Sequence, residues 1–418
     1  MTRWRWFLSN LTRKLSVRAT LIGALGVAAA IVAAVTERFI PYELPTTIGA
    51  SAVESILTII ASSMLAVTTF SLSVMTAAFG AATSNVTPRA TKLLMEDSLT
   101  QNVLSTFIGS FLFSMVGIVV LKTGAYGDRG RFILFVVTVA VIVLIVISLL
   151  RWINHLIRLG RVGETTERVE KATEAALTWR LENPYLGGQR LDPDQRFSGT
   201  PTAVTINCVG YIQHIDVSAL SALAERLEID ISLNATPGTF IYPHTELAHL
   251  HVPAGVELQE RDMQVARHAY IIGKERTFEQ DPRFGLAVMS EIGSKALSAA
   301  INDPGTVIDV IGRIARLMVT WGRGIDPDLE PQYPRVFVPA LSNDDLFDDA
   351  FALIARDGAG LVEVQVRLQK TLIALSQMGD QTFRQGARHQ AKLALQRAEL
   401  ALNFEEDLRR LREAAQSS

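Results

Sequence analysis

A single cysteine, Cys208, stands in 418 residues, so no intramolecular disulfide can form and no Cys-rich metal site can be built. An excess of either charge is missing too. Forty Lys and Arg face 42 Asp and Glu, without the basic surplus that neutralises phosphates, and nucleic-acid binding is not expected. The chain has no GxxxxGK[ST] loop, no GxGxxG after a strand, no HExxH and no GxSxG. An enzyme would have no assembled site, and no cofactor is called for. Cys208 itself lies in an apolar, strand-like stretch, where a thiol is usually a small buried hydrophobe.

What the chain does have is apolar length. Four blocks, about 17–37, 53–83, 102–122 and 131–155, each hold enough apolar residues to cross a bilayer core of ~30 Å, and none alternates like a barrel strand. The expected fold is an integral membrane α-helical domain with four transmembrane helices (1–160), then a cytosolic α+β domain. The latter divides into a helical stalk and linker (161–200), a small α+β module (201–255) and a mainly helical C-terminal part (256–418). The basic start and the small residues near Ala33 and Ala34 also fit a secretory signal peptide, but three further spans favour retention.

Basic residues set the orientation. Arg3, Arg5, Arg13, Lys14, Arg18, Arg89, Lys92, Arg151, Arg158 and Arg161 fall on one side, against Arg38, Lys122, Arg129 and Arg131 on the other. Both termini are therefore expected in the cytoplasm. Trp4, Trp6 and Trp152 at one boundary, with Phe39, Tyr42 and Tyr126 at the other, match aromatic belts.

The spans differ in kind. The fourth is almost pure Val, Ile, Leu and Phe and reads as lipid-facing. The first carries Gly23, Gly26, Ala30 and Ala34, and the third Ser110, Ser114 and Gly117, small residues that let helices approach closely. The second is longer than a bilayer requires and places Ser55, Ser62, Thr69, Thr76 and Thr83 seven residues apart. Because a heptad drifts only ~20° around an α-helix, all five share one slowly winding seam. Two readings fit: the hydroxyls bond back to their own helix and the seam packs dry, or copies from several subunits surround an axis and line a water-accessible path. Glu54 would then stand near the outer mouth. No span carries a charge near its middle, which disfavours a pump or ion-coupled transporter.

Three segments carry a resemblance: Ser84-Asn85-Val86-Thr87-Pro88-Arg89, then Arg276 to Gly285 (RTFEQDPRFG), then Lys295 to Pro304 (KALSAAINDP). With the four-span start they resemble a bacterial family of predicted membrane proteins known only as a domain of unknown function, number twenty-two fifty-four. The likeness runs from about Leu15 to beyond Leu341. Ala299 departs from it, since Pro is expected after that Ser, so a straighter helix is expected before Asn302. The resemblance implies a bacterial membrane, here read as the inner membrane, and brings no activity and no functional residue.

In the soluble part, residues 163–182 read as a charged helix leading out of the membrane. Val204, Ile206 and Cys208, and Ile229, Ile231 and Leu233, alternate like strands around a helix from Asp216 to Leu227, with a turn at Pro237-Gly238. Beyond Val256 the chain reads as helical, broken at Asp281-Pro282, Asp303-Pro304 and Pro331 to Pro339. Asp303 can cap a helix that opens with Pro304, and Thr306 adds a hydroxyl at the same end. A small anion could bind there, with Arg276 and Asp281 or Arg283 joining Asn302, Asp303 and Thr306 only if the fold returns them; otherwise Arg276 and Asp281 tie down a buried turn. Glu291 and Lys295, one turn apart, suit a surface ion pair. His249 and His251 should share one strand face, with His244 and Glu246 on another, which favours surface histidines over a metal site. The last helix, roughly Gln390 to Arg412, sets Leu393, Leu400, Phe404, Leu408 and Leu411 on one side that must be buried, within the domain or on another subunit.

The function expected from these features is an oligomeric passive channel or pore with a cytosolic regulatory domain, in which motion of the stalk repositions the second span. The alternative is a membrane-anchored sensor or scaffold whose soluble domain binds a ligand or protein. A third reading, a membrane-bound enzyme, would need polar groups converging around Asn302.

Overall fold

The computed structural model describes residues 49–95, 97–123, 128–157 and 160–416, with seven isolated positions between Val17 and Ala28. The described residues form two compact units, one of residues 85–90 with 165–416, the other holding the remainder up to 164.

In the N-terminal unit, three described helices are long and apolar enough to cross a membrane. These are α1 (Ala50–Asn85), α3 (Ser98–Lys122) and α4 (Asp128–Leu156); the short α2 (Pro88–Met95) between α1 and α3 begins within the segment 85–90 that groups with the other unit. The first apolar block lies largely outside the described residues, as do Trp4, Trp6, Phe39, Tyr42 and Tyr126. Val17, Thr20, Leu21, Gly23, Ala24, Val27 and Ala28 are helical, and Gly23 lies against Leu112. Asp97 caps α3 by accepting the Thr100 N–H at 2.8 Å. It also sits 3.2 Å from His155 in the last turn of α4. At the other end of α3, Lys122 pairs with Glu54 of α1 at 3.0 Å. At 1.5 Å per residue these two clasps lie about 37 Å apart along α3, and the residues between them are uncharged, a span matched to a ~30 Å hydrocarbon core.

Small residues do for α3 what the sequence suggests. Ser110, Ser114 and Gly117 are buried, and Gly117 admits Leu57 and Leu134 against its backbone. Trp152 departs from the aromatic-belt expectation. Only 2% exposed, it donates its Nε1–H to Ser71 of α1 at 2.9 Å, because a buried indole needs an acceptor.

The soluble unit joins two sheets to a helical layer. β1 (Gly188–Arg190), β8 (Tyr333–Val338), β4 (Asp230–Leu233), β6 (Glu246–Val252) and β2 (Thr200–Thr205) form a five-stranded sheet in that order. β8 runs parallel to both β1 and β4, and the other pairs are antiparallel. β5 (Phe240–Ile241), β3 (Gly210–Ile215) and β7 (Tyr270–Gly273) form a smaller antiparallel sheet. The larger sheet thus recruits strands from outside 201–255. Ile206 and Cys208 fall beyond β2, in its connection to β3. α6 (Val217–Leu227), capped by Asp216, buries Leu220, Leu223 and Ala224 against Ile231, Leu250 and Val336. α7 (Glu260–His268) leads into β7.

α5 (Val162–Glu182) is no free stalk. Thr165, Thr166, Val169, Thr173, Ala176, Leu177 and Arg180 recur at helical spacing and are buried. A Cβ on Gly285 of α8 (Pro282–Ala296) would overlap the Thr173 side chain, and Glu170 binds Arg313 at 2.6 Å and Arg316 at 2.7 Å. Both arginines belong to α9 (Pro304–Trp321). α10 (Asn343–Asp357), α11 (Val362–Leu375), α12 (Gln381–Ala401) and α13 (Glu405–Gln416) complete the layer around Phe347, Phe351 and Phe383. The expected last helix divides at Leu402, which is buried together with Leu411, while Leu400 and Phe404 point outward at 88% and 65% exposure.

Candidate functional site

Each seam hydroxyl of α1 donates to the carbonyl one turn earlier. Ser55 reaches Ser51 O at 2.8 Å, Ser62 reaches Thr58 O at 2.9 Å, and Thr69 reaches Leu65 O at 2.8 Å. Thr76 reaches Leu72 O at 2.9 Å and Thr83 reaches Phe79 O at 2.8 Å. This satisfies each donor in a medium without water. Among the described residues none covers the seam: all five of its residues are exposed, and so are Ala52, Ile59, Ala66, Ser73 and Gly80 between them. These ten positions alternate at spacings of three and four, the pattern of a helix-packing seam, and nine of them are small or hydroxylated. The outward face of α4 is different: Val136, Val139, Val143, Ile147 and Leu150 are exposed there and bulky. The α4 face is thus bulky and wholly apolar, whereas the α1 seam is small and hydroxylated, with Leu65, Phe70 and Leu72 exposed beside it.

α1 ends in a segment that groups with the soluble unit. In it Val86 and Ala90 are buried, and Arg89 donates to the Glu291 carboxylate of α8. Thr87 also hydrogen-bonds Glu291, whose carboxyl burial pushes above the usual range against the opposing pull of Arg89, Thr87 and Arg276. Glu291 thus pairs across 202 positions of sequence, where a local pair with Lys295 is expected from spacing alone. No local pattern could have found this partner.

At the start of α8, Arg276 grips both oxygens of Asp281, with Nε at 2.7 Å and Nη2 at 2.9 Å. Asp281 also caps the helix through the Phe284 N–H at 3.1 Å. Its carboxylate lies against Gly238, whose φ of 92° and lack of a side chain make that approach possible. Arg283 bridges Asp349 at 2.6 Å and Asp345 at 2.5 Å. Nearby, burial pulls the Arg180 guanidinium down to about 10. Arg276 and Asp281 thus hold each other at this end of α8, and Arg283 ties it to α10 through Asp345 and Asp349.

The Asn302 turn lies at the other end of α8. The Asp303 N–H bonds Ala296 O at 2.9 Å, and fifteen helical residues put about 22 Å between the two ends of α8. Asp303 accepts the Thr306 N–H at 3.0 Å and its hydroxyl at 2.6 Å, bonds that hold its carboxyl below the usual range. A negative charge already stands where an anion would sit, and neither Arg276 nor Arg283 is returned to it. Asn302 takes φ 49°, a left-handed conformation that Asn tolerates. The helix before it stops at Ala296 rather than running straight to the turn.

The histidines separate differently from strand alternation. β6 bulges at Leu247, since Val204 pairs with Ala248 and Thr205 with Glu246, and the extra residue turns Glu246 to the His249 side. Glu246 lies 3.0 Å from His249 Nε2. His251 bonds Ser232 at 2.9 Å beneath the ring of Phe197, 4.0 Å away. His244 stands outside the strand at φ 71°. Among the described residues, no three His, Cys, Asp or Glu side chains are placed to hold a metal ion.

Residues 12–374 match the family described as "Predicted membrane protein (DUF2254)". The chain belongs to this family. Uncharacterised proteins of Mycobacterium tuberculosis (strain ATCC 25618 / H37Rv) and Mycobacterium bovis are each 33% identical to it over 109 residues, 25% of this chain and 21% of theirs. The match therefore spans about a fifth of those relatives' length. No solved structure matches the chain. In this DUF2254 protein, the three segments that carry the resemblance sit at the end of α1, at the capped start of α8 and at the turn into α9.

Proposed function

We propose that this DUF2254 protein is a homo-oligomeric passive channel of the bacterial inner membrane, with both termini in the cytoplasm and the soluble unit as its regulatory part. Copies of α1 surround the axis and their seams face one another. The single observation that supports this most is the open seam itself: ten exposed heptad positions, nearly all small, on a helix of 36 residues. Because each hydroxyl proton is spent on its own helix, the oxygens present acceptor lone pairs along the axis, about 10.5 Å apart. Such a path suits small polar solutes or weakly hydrated cations. Purified protein in liposomes should pass them down a gradient, and Thr69→Phe, by breaking the contact between seams, should abolish that flux.

A second reading, a membrane-anchored sensor or scaffold with a dry α1 contact, is favoured by the same hydrogen bonds, since a fully satisfied seam needs no water. Subunit cross-linking without solute passage would select it.

A further inference from the structure

We infer that the Arg89–Glu291 pair is a latch by which the soluble unit holds the chain where α1 ends, so that a change in the position of α8 is felt there. Three observations meet at this point. The segment 85–90 groups with residues 165–416, unlike the helical residues on either side of it. Two of its side chains, Arg89 and Thr87, converge on one carboxylate, Glu291. That carboxylate sits in the middle of α8, whose first turn is fixed by Asp281 to Arg276 and by Arg283 to Asp345 and Asp349 of α10. A helix so anchored moves as a rigid rod, and its pull reaches Arg89 directly.

The covalent route through α5 is a poorer lever, because α5 is packed along its length into the same unit as α8. The latch needs two opposite charges and no particular shape, so exchanging them should preserve it. For what it regulates, this inference rests on the channel reading; the latch itself is read without any flux.

The test is hydrogen–deuterium exchange of the full chain in detergent, followed in peptides covering 85–95. Arg89→Glu and Glu291→Arg should each raise exchange there at least tenfold, and Arg89→Glu with Glu291→Arg together should restore it. Glu291→Gln, which keeps the shape and one acceptor, should give a smaller rise and guards against misfolding of the charge reversals. Unchanged exchange in the single variants, or a double variant as open as either single, overturns the latch. A protein that passes no solute but shows the rescue overturns the channel and leaves the latch standing.

Discussion

The Asp281 carboxylate is shared between the Arg276 guanidinium and the first turn of α8, and is only 4% exposed. Removing it takes the bidentate partner from Arg276, withdraws a negative charge that acts on the buried Arg180, and uncaps the helix. Asp281→Ala should cost about 3–5 kcal/mol, the scale for leaving a buried charge uncompensated. Chemical unfolding of the purified protein, followed by a probe in the soluble unit, measures it. A loss under 1 kcal/mol would mean that the turn is held by something else.

Gly285 gives a prediction of unusual sign. Gly to Ala within a helix normally stabilises by about 1 kcal/mol. Here the new methyl overlaps Thr173 of α5, so Gly285→Ala should destabilise by roughly 1–3 kcal/mol. Adding Thr173→Ala should recover part of the loss, and additive losses in the double variant would refute the contact.

His251 makes stability depend on pH. Burial, and then His249, hold its pKa below the ordinary histidine value, with Asp230 opposing. The unfolded chain therefore takes up a proton first. The contribution of His251 is fully present above the unfolded value of about 6.5 and is lost as pH falls from there toward the depressed native value. Denaturant midpoints between pH 8 and pH 5 should decline across that window, and His251→Gln should remove this part of the decline. An unchanged slope in the variant would place the titration elsewhere.

Much of this architecture is legible in the residues, and the exceptions share a cause. Apolar length finds α1, α3 and α4, and Asp-Pro pairs at 281 and 303 find the starts of α8 and α9, because both signals are local. β7 and β8 escape a local reading. β8 carries Pro334 and is flanked by Pro331 and Pro339, yet it pairs on both sides within the five-stranded sheet. The Leu247 bulge and the Arg89–Glu291 pair are likewise set by tertiary partners. At the candidate site, the seven-residue hydroxyl repeat is written in the sequence, whereas its exposure is not: only the packing of α3 and α4 on the other faces of α1 reveals it.

The two outward faces should respond oppositely to bulk. Thr69→Phe on α1 should disrupt subunit cross-linking, while Val143→Phe on α4 should leave it intact, since lipid accommodates the ring. Loss of cross-linking from the α4 change alone would move the subunit contact away from α1.

The most direct test of the central claim is thiol scanning of the seam in a Cys208→Ser background. Cysteines at Ser62, Thr69 and Thr76 should form cross-links between subunits under oxidation and react with a water-soluble thiol reagent from the membrane-embedded state, while cysteines at Val139, Val143 and Ile147 should do neither. Seam positions that neither cross-link nor label would contradict the account.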